Sequence, residues 1–335
     1  MTSHETTNHL QKKPDSLSHV EHVGTPVSIL SLNPAVDITY TVPRLIVDQK
    51  AHAVSTRFDP GGNGINVGRA LKRLGIMADS FCVTAGETGH LLERLLVNHL
   101  DTVHYERVDG ETRINGTIQE QESGIQYEVS GIGPPVPARQ LASLLNTFVQ
   151  HAGRGFGVLT GSILPDLSIG LYADLVGRIR EAGGFPVVDT HHESLRRAIT
   201  ARPFLVKPNR HELETLTHST LSTPQKVAEQ ARRIQQQGVD FVCISLGGEG
   251  ALLTSSENTF YAEALKVKVE STVGAGDSMV AGLLAAFVRG LSCADTLRLA
   301  VACGSGTVEQ AGTELFSTDA IATLSKRIKI KTMNI

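Results

Sequence analysis

The residues from Ser271 to Ser278 combine two glycines with an aspartate immediately before an apolar stretch, Met279 to Val288. A loop that turns into a buried helix presents unpaired backbone N–H groups and the positive end of the helix dipole, so it can hold an anion. Asp277 would repel a phosphate that it only held, and its presence therefore suggests proton chemistry beside the anion. The alternative is that Asp277 or Ser278 simply caps the helix, as these residue types commonly do.

A second glycine-rich segment, Pro60 to Gly64, precedes an apolar helical pattern that ends at Gly75. Its glycines allow the backbone to approach a ligand closely. Asn66 falls among the buried positions of the first helical turn, where an amide needs a polar partner. Either a ligand hydroxyl or a hydrogen bond in the core would satisfy it.

Asn209 and Glu212 follow an apolar strand, and their N-x-x-E spacing is typical of a capping box at a helix start. The functional alternative is a carboxylate that organises Mg²⁺ and phosphate at the C-terminal edge of a parallel sheet. The segment 245–250 is another strand that opens into a glycine loop, which by itself could be a hairpin turn.

Composition excludes several classes of protein. The 335-residue chain is 41% hydrophobic and 19% charged, as in soluble globular proteins, and its net charge of −3 gives no reason to expect nucleic acid or an anionic membrane as partner. No apolar run reaches the roughly 18 residues that span a bilayer. The four cysteines have no C-x-x-C spacing, which predicts a reduced, cytoplasmic protein without a zinc site. His191 to Glu193 is interpreted as a surface loop.

The sequence shows two patterns of apolar residues, which predict two kinds of sheet. Compact apolar runs such as Phe156–Thr160 and Phe185–Asp189 alternate with helical segments, which predicts βαβ units and a parallel sheet covered on both faces. Alternating residues at about 36–58 and 111–130 indicate a small antiparallel sheet. We therefore expect a disordered extension at 1–24, one α/β domain at 25–325 with this flap inserted, and a C-terminal tail at 326–335.

Together these motifs resemble the PfkB (ribokinase-like) family of carbohydrate kinases, over about residues 27–320. Gly61 to Val67 and Ser271 to Ser278 match its two signatures. The segment from Ser31 to Asp37 looks like the sugar-phosphate branch, which holds 1-phosphofructokinase, tagatose-6-phosphate kinase and the minor bacterial ATP-dependent 6-phosphofructokinase. Segments such as Pro60 to Val67 and Ala85 to Gly89 are most similar to the last of these.

The resemblance implies a three-layer α/β/α sandwich with a mainly parallel sheet and a small β-sheet lid. It implies ATP-dependent phosphorylation of a ketohexose phosphate: fructose 6-phosphate first, with fructose 1-phosphate or tagatose 6-phosphate as the alternative. Asp277 would be the general base, and the N–H groups of Gly274, Ala275 and Gly276 would form an anion hole. A catalytically silent sugar-phosphate-binding regulator is the alternative of another class, against which the intact Asp277, Glu212 and Arg113 argue.

The same resemblance implies the binding residues. The ATP contacts would be Lys207, Asn209, Ser245, Gly247, Gly250, Thr272, Gly274, Gly276 and Ser305. The sugar-phosphate contacts would be Asp37, Lys50, Gly61, Gly62, Asn66, Arg113, Ser162 and Asp277. Glu212 and Asn209 would organise Mg²⁺ through water, and Ser271, Val273, Thr307 and Gly312 would hold a monovalent cation such as K⁺. Pairing of two lids implies a homodimer.

Overall fold

The computed structural model describes residues 22–335, so the expected extension at 1–24 lies almost entirely outside the described residues. The strands are β1 (Val27–Ser31), β2 (Ala35–Val42), β3 (Ser55–Gly61), β4 (Ala78–Ala85), β5 (Thr102–Val108), β6 (Arg113–Glu120), β7 (Gln126–Val129), β8 (Phe156–Thr160), β9 (Phe185–Asp189), β10 (Leu205–Val206), β11 (Phe241–Ser245), β12 (Gly250–Thr254), β13 (Thr259–Glu263) and β14 (Ile330–Met333). The helices are α1 (Asn63–Arg73), α2 (Gly86–Leu96), α3 (Ala138–Ala152), α4 (Leu171–Glu181), α5 (His192–Thr200), α6 (Arg210–Thr217), α7 (Pro224–Gln236), α8 (Ala275–Val288), α9 (Cys293–Val308) and α10 (Thr318–Arg327).

The larger sheet has ten strands in the order β14-β13-β12-β11-β10-β9-β8-β1-β4-β5. All neighbours from β11 to β5 are parallel, whereas β12, β13 and β14 add to the other end as antiparallel strands. Helices α1, α2, α8, α9 and α10 cover one face, and α3 to α7 cover the other. The expected three-layer α/β/α fold with a mainly parallel sheet is thereby confirmed.

Helix α8 is the most deeply buried helix near the site. Every residue from Asp277 to Phe287 is buried, because the helix packs against both α1 and α9 beneath the sheet. This explains why its sequence is apolar on all sides rather than on one stripe. A helix enclosed in this way holds its first turn in a fixed position.

The smaller sheet has the strand order β3-β2-β6-β7 and is assembled from the two expected regions. Its hairpins β2–β3 and β6–β7 are antiparallel, but β2 and β6 pair in parallel. The expectation of a wholly antiparallel sheet was therefore wrong. The chain passes through the larger sheet between β3 and β6, so no tight turn sets the direction of β6.

The C-terminal segment 326–335 is not a free tail. Residues Ile330 to Met333 form β14, which pairs with β13. Without this pairing β13 would be the edge strand, with its backbone groups on that side unpaired. A strand of four residues is too short to show an alternating pattern in the sequence. Within residues 22–335 no helix has both the length and the apolar character needed to cross a bilayer.

Candidate active site

A cleft of about 370 Å³ lies between the C-terminal ends of the parallel strands and the smaller sheet. Each wall comes from a different part of the chain, because parallel strands bring their carboxyl ends to one edge. The cleft brings together the expected residues Asp37, Gly62, Asn66, Arg113, Ser162, Glu212, Val273, Gly274 and Asp277. It also contains Asn63, Asn115 and Asp189, which the sequence analysis did not assign to the site.

Asp277 is held by side chains from α1. Helix α8 begins after Gly274, whose φ of 75° is left-handed, and it has no side-chain cap. Asn63 Nδ2 donates to Asp277 Oδ1 at 3.0 Å, and Asn66 Nδ2 donates to Oδ2 at 2.9 Å. Ser278 Oγ instead bonds with Thr307 Oγ1 at 2.8 Å. The capping alternative for Asp277 or Ser278 was therefore wrong.

Burial raises the pKa of Asp277 to about 6, and the negative charge of Asp189 acts in the same direction. The hydrogen bonds from Asn66 and Asn63 and the charge of Lys207 oppose this shift by stabilising the carboxylate. Near neutral pH the group is ionised yet close to its titration range. That is the state in which a carboxylate accepts a proton efficiently.

The start of α8 leaves room for an anion beside this carboxylate. The first N–H groups of a helix have no intrahelical acceptor. A Cβ at position 274 would lie 3.0 Å from Leu315 Cδ2, so only glycine fits both the backbone angle and the space. The Ala275 N–H makes a long 3.4 Å hydrogen bond to the Thr272 carbonyl. A Cβ on Gly276 would lie 3.4 Å from Lys207 Nζ, which places that ammonium group close to the helix start.

Lys207 pairs with Asp189, the last residue of β9, at a Nζ–Oδ1 distance of 3.2 Å. Both side chains are largely buried. Burial alone would lower the pKa of Lys207, but the nearby negative charge of Asp189, with a smaller contribution from Glu212, raises it above its ordinary value. The ammonium group is therefore charged where it lies near α8.

Asn209 and Glu212 form the capping box that their spacing predicts. The Glu212 N–H donates to Asn209 Oδ1 at 2.9 Å, and the Asn209 N–H donates to Glu212 Oε2 at 2.8 Å. Glu212 also lines the cleft, where burial raises its pKa and the charge of Asp189 adds to that effect. The Glu212 side chain therefore caps α6 and also lines the cleft.

The smaller sheet contributes Asp37 and Arg113 to the opposite wall. Asn115 Nδ2 donates to Asp37 Oδ1 at 2.7 Å. A Cβ on Gly61 would lie 2.2 Å from the Asp37 carboxylate, which explains the glycine there. Burial lowers the pKa of Arg113 and the Asp37 charge opposes that shift. Arg113 Nε is buried and has no hydrogen-bond partner among residues 22–335.

Several expected contacts lie outside this cleft. Lys50 is exposed between β2 and β3 and does not line it. Ser245, Gly247 and Gly250 belong to the β11–β12 hairpin. The Ser245 N–H donates to the Pro208 carbonyl at 3.2 Å, so Ser245 lies beside Asn209. Thr272 is exposed and Ser305 is half-buried within α9.

The residues expected around a monovalent cation are partly brought together. The Ser271 N–H donates to the Val308 carbonyl at 3.3 Å, next to Thr307, and the Val273 N–H donates to Ser271 Oγ at 3.2 Å. At Gly312 a Cβ would lie 2.3 Å from Arg57 Nη2. A guanidinium group therefore already lies against the loop that contains Gly312.

Two of the unassigned residues had a signal in the sequence. Asn63 lies inside the glycine-rich segment at the start of α1, and Asp189 is the last residue of an apolar strand that the sequence predicts correctly. A position at a strand end or a helix start therefore indicated that a residue could belong to the cleft. Nothing in the spacing showed that Asn63 contacts Asp277, from which 214 positions separate it.

Comparison with known proteins shows the family of this chain. A sequence model of the PfkB family of carbohydrate kinases matches residues 29–320. The chain is 32% identical to the 1-phosphofructokinase of Bacillus subtilis, over 86% of this chain and 94% of that protein. It is also 32% identical to the ATP-dependent 6-phosphofructokinase isozyme 2 of Escherichia coli, over 87% and 94% respectively.

A solved structure has the same fold. The crystal structure of phosphofructokinase-2 from Escherichia coli in complex with potassium superposes with a TM-score of 0.86 at 30% identity, covering 90% of this chain and 99% of that chain. The family match spans nearly all of the described residues and includes both glycine-rich segments. The chain therefore belongs to the PfkB family of carbohydrate kinases and is an ATP-dependent sugar kinase.

Proposed function

We propose that this kinase transfers the γ-phosphoryl group of ATP to a hydroxyl of fructose 6-phosphate, with fructose 1-phosphate or tagatose 6-phosphate as the alternative acceptor. One observation carries the choice of a phosphorylated sugar. Arg113, with a buried Nε that has no partner among residues 22–335, lines the same cleft as Asp277. A planar guanidinium is well suited to bind a phosphate.

In the proposed reaction Asp277 takes the proton of the acceptor hydroxyl. Its two amide partners on α1 hold the carboxylate still while the hydroxyl oxygen attacks the γ-phosphorus and the bond from that phosphorus to ADP breaks. The N–H groups at the start of α8 and the nearby ammonium of Lys207 stabilise negative charge on the transferred group. Arg113 and Asp37 hold the sugar phosphate from the smaller sheet.

The cleft fits a divalent metal, because the carboxylates of Glu212 and Asp189 both face it and Mg²⁺ prefers oxygen ligands. When bound, Mg²⁺ would supply positive charge that offsets the negative charge of the ATP phosphates. Glu212 would hold it through water, since its Oε2 also accepts the Asn209 N–H. ATP would then lie beside the β11–β12 hairpin and Thr272. A K⁺ ion near Ser271 and Thr307 is supported by the potassium complex of the Escherichia coli protein.

A homodimer through the smaller sheet is also proposed. The strand register places apolar residues from all four strands on one face and the cleft residues Asp37, Arg113 and Asn115 on the other. The apolar residues include Tyr40, Phe58, Ile114 and Tyr127, each 40–45% exposed. A contiguous exposed apolar patch is typical of a contact surface. Sedimentation of the Tyr127→Lys variant tests this, and an unchanged mass for that variant would contradict it.

A cytoplasmic location stays a prediction.

The acceptor is tested by ADP release with fructose 6-phosphate, fructose 1-phosphate, tagatose 6-phosphate, fructose and ribose. We expect the phosphorylated ketohexoses to give the highest kcat/KM. We expect Arg113→Met to raise the KM for them by on the order of 100-fold, and to change turnover of fructose little. Arg44→Met, an exposed arginine just after β2 that does not line the cleft, is the matched control and should leave these KM values unchanged. Preference for unphosphorylated sugars would contradict the role of Arg113.

A further inference from the structure

Three metal-ligating side chains converge far from the cleft. Asp79 lies at the beginning of β4, His104 near the beginning of β5, and His151 near the end of α3. One ligand atom from each lies within 4.8 Å of the other two, and this is the single such group within residues 22–335. The beginnings of parallel strands lie at the sheet edge opposite to the one that carries Asp277.

The distances between these three side chains are short enough for them to bind one ion. His151 Nδ1 lies 3.1 Å from Asp79 Oδ2, and His104 Nε2 lies 3.9 Å from Asp79 Oδ1. The His104 ring stacks on Phe81 with ring centroids 4.4 Å apart and planes 11° from parallel, so its orientation is fixed. His104 Nε2 is buried and has no hydrogen-bond partner in the part of the chain that the structure describes.

A hydrogen bond between His151 and Asp79 alone would explain only one of these contacts. It leaves His104 Nε2 without a partner while that atom points toward the same carboxylate. Zinc ligands at about 2.0–2.2 Å in a tetrahedral site lie roughly 3.3 Å apart. The His151–Asp79 pair has this spacing, and a small rotation of the Asp79 carboxylate would bring its contact with His104 Nε2 from 3.9 Å to it.

We propose that Asp79, His104 and His151 form a binding site for a divalent transition metal, with Zn²⁺ as the ion of choice. Two imidazoles and one carboxylate are a ligand set that such ions take, and hard ions such as Mg²⁺ prefer oxygen alone. The side chains are about one-third exposed, so the fourth position is open to water. The ion would tie the edge strand β5 and helix α3 to β4. The cysteine spacing could not reveal this site, because it uses no cysteine.

The test is a calorimetric titration of the metal-free full-length protein with Zn²⁺. Its background carries His4→Gln, His9→Gln and His19→Gln, so that the N-terminal histidines contribute nothing to the measured binding. We expect one Zn²⁺ per chain, and at least a tenfold loss of affinity in His104→Gln and in His151→Gln. His90→Gln, an exposed histidine on α2, should bind as the background does. Zn²⁺ should also raise the Tm of the background and of His90→Gln but not of the two site variants.

Two further variants make the result decisive. Glu212→Gln removes a cleft carboxylate, and we expect it to leave this Zn²⁺ binding unchanged. Asp79→Asn keeps an oxygen facing His151 but removes the charge, so it decides the question if a histidine variant does not fold. Unchanged affinity in the Asp79 and histidine variants, or loss of binding in Glu212→Gln, would overturn the proposal.

Discussion

Helices α6 and α8 both begin at the C-terminal edge of the larger sheet, yet their first turns differ. Helix α6 starts with a complete capping box, in which Asn209 and Glu212 satisfy each other's backbone N–H groups. Helix α8 starts with Gly274 and has no side-chain cap. Its one acidic residue, Asp277, is instead held by two asparagines from α1. The first arrangement stabilises a helix, whereas the second leaves N–H groups and a carboxylate available to a substrate.

An acidic residue in a first helical turn has two different uses. Its hydrogen-bond partners distinguish them: Glu212 accepts the backbone N–H of the N-cap residue of α6, and Asp277 accepts side-chain N–H groups of another helix. Changes at the start of α8 should therefore reduce catalysis, while the cap of α6 should contribute to stability.

The largest effect is expected for Asp277→Asn. Loss of the general base should lower kcat by at least about two orders of magnitude, since such a base contributes roughly 10²–10⁴. Steady-state ADP release measures kcat, and ATP titration checks that binding persists. Asp174→Asn, an exposed acidic residue in the first turn of α4, is the matched control and should change nothing. Near-normal kcat in Asp277→Asn would remove the distinction between the two helix starts.

Gly274→Ala should lower kcat by about 10- to 100-fold, because its Cβ would push the helix start away from Leu315 and misplace the reacting groups. Gly75→Ala is the matched control. Its φ of 71° resembles that of Gly274, but its Cβ would meet nothing within 4 Å. Both variants should lose about 1–2 kcal/mol of stability from the left-handed backbone. Equal activity of the two variants would show that the start of α8 has no special role.

The pH dependence of kcat/KM should show an acid limb near pH 6. Asp277 acts as a base only when ionised, and its pKa in the ligand-free protein is raised to about 6, so kcat/KM falls as pH falls through that value. At pH 5 the loss should be about tenfold. Glu212 also has a raised pKa, so a second variant is needed. Asn63→Ala removes a hydrogen bond that stabilises the Asp277 carboxylate and should therefore move the acid limb to higher pH. If the limb does not move, a group other than Asp277 causes it.

The smallest effect is expected at α6. Asn209→Ala removes the cap and should cost about 1 kcal/mol of unfolding free energy, measured by denaturant titration. Glu212→Gln can still accept the Asn209 N–H, so its stability should stay near that of the parent. Its KM for Mg²⁺-ATP should nevertheless rise, by about tenfold on loss of the carboxylate charge. An opposite pattern, with Glu212→Gln unstable and its KM unchanged, would make the capping box the whole role of Glu212.

The fold was predictable where strands are buried along their length. The runs at Phe156–Thr160 and Phe185–Asp189 are strands with those same bounds. Short or half-exposed strands were not predictable, because their patterns are too brief or too mixed. The direction of β6 and the existence of β14 depend on pairing with distant strands, about which sequence spacing says nothing.

The site was predictable as a set of motifs but not as a set of contacts. The glycine-rich segments and the strand ends indicated Asp277, Asn66 and Glu212 correctly as cleft residues. Sequence reasoning could not show that Asn63 and Asn66 together hold Asp277, because hundreds of residues separate the helices involved. Lys50 was expected from the family resemblance as a cation for the sugar phosphate, and the structure leaves it outside the cleft.

The order of strands has a consequence for synthesis of the chain. The first strand, β1, lies in the interior of the larger sheet, and β4 and β5 are added on one side of it. Strands β8 to β14 are then added on the other side in the order in which a ribosome makes them. Each new strand can therefore pair with one already in place, and the sheet reaches its full width only when Ile330 to Met333 have emerged.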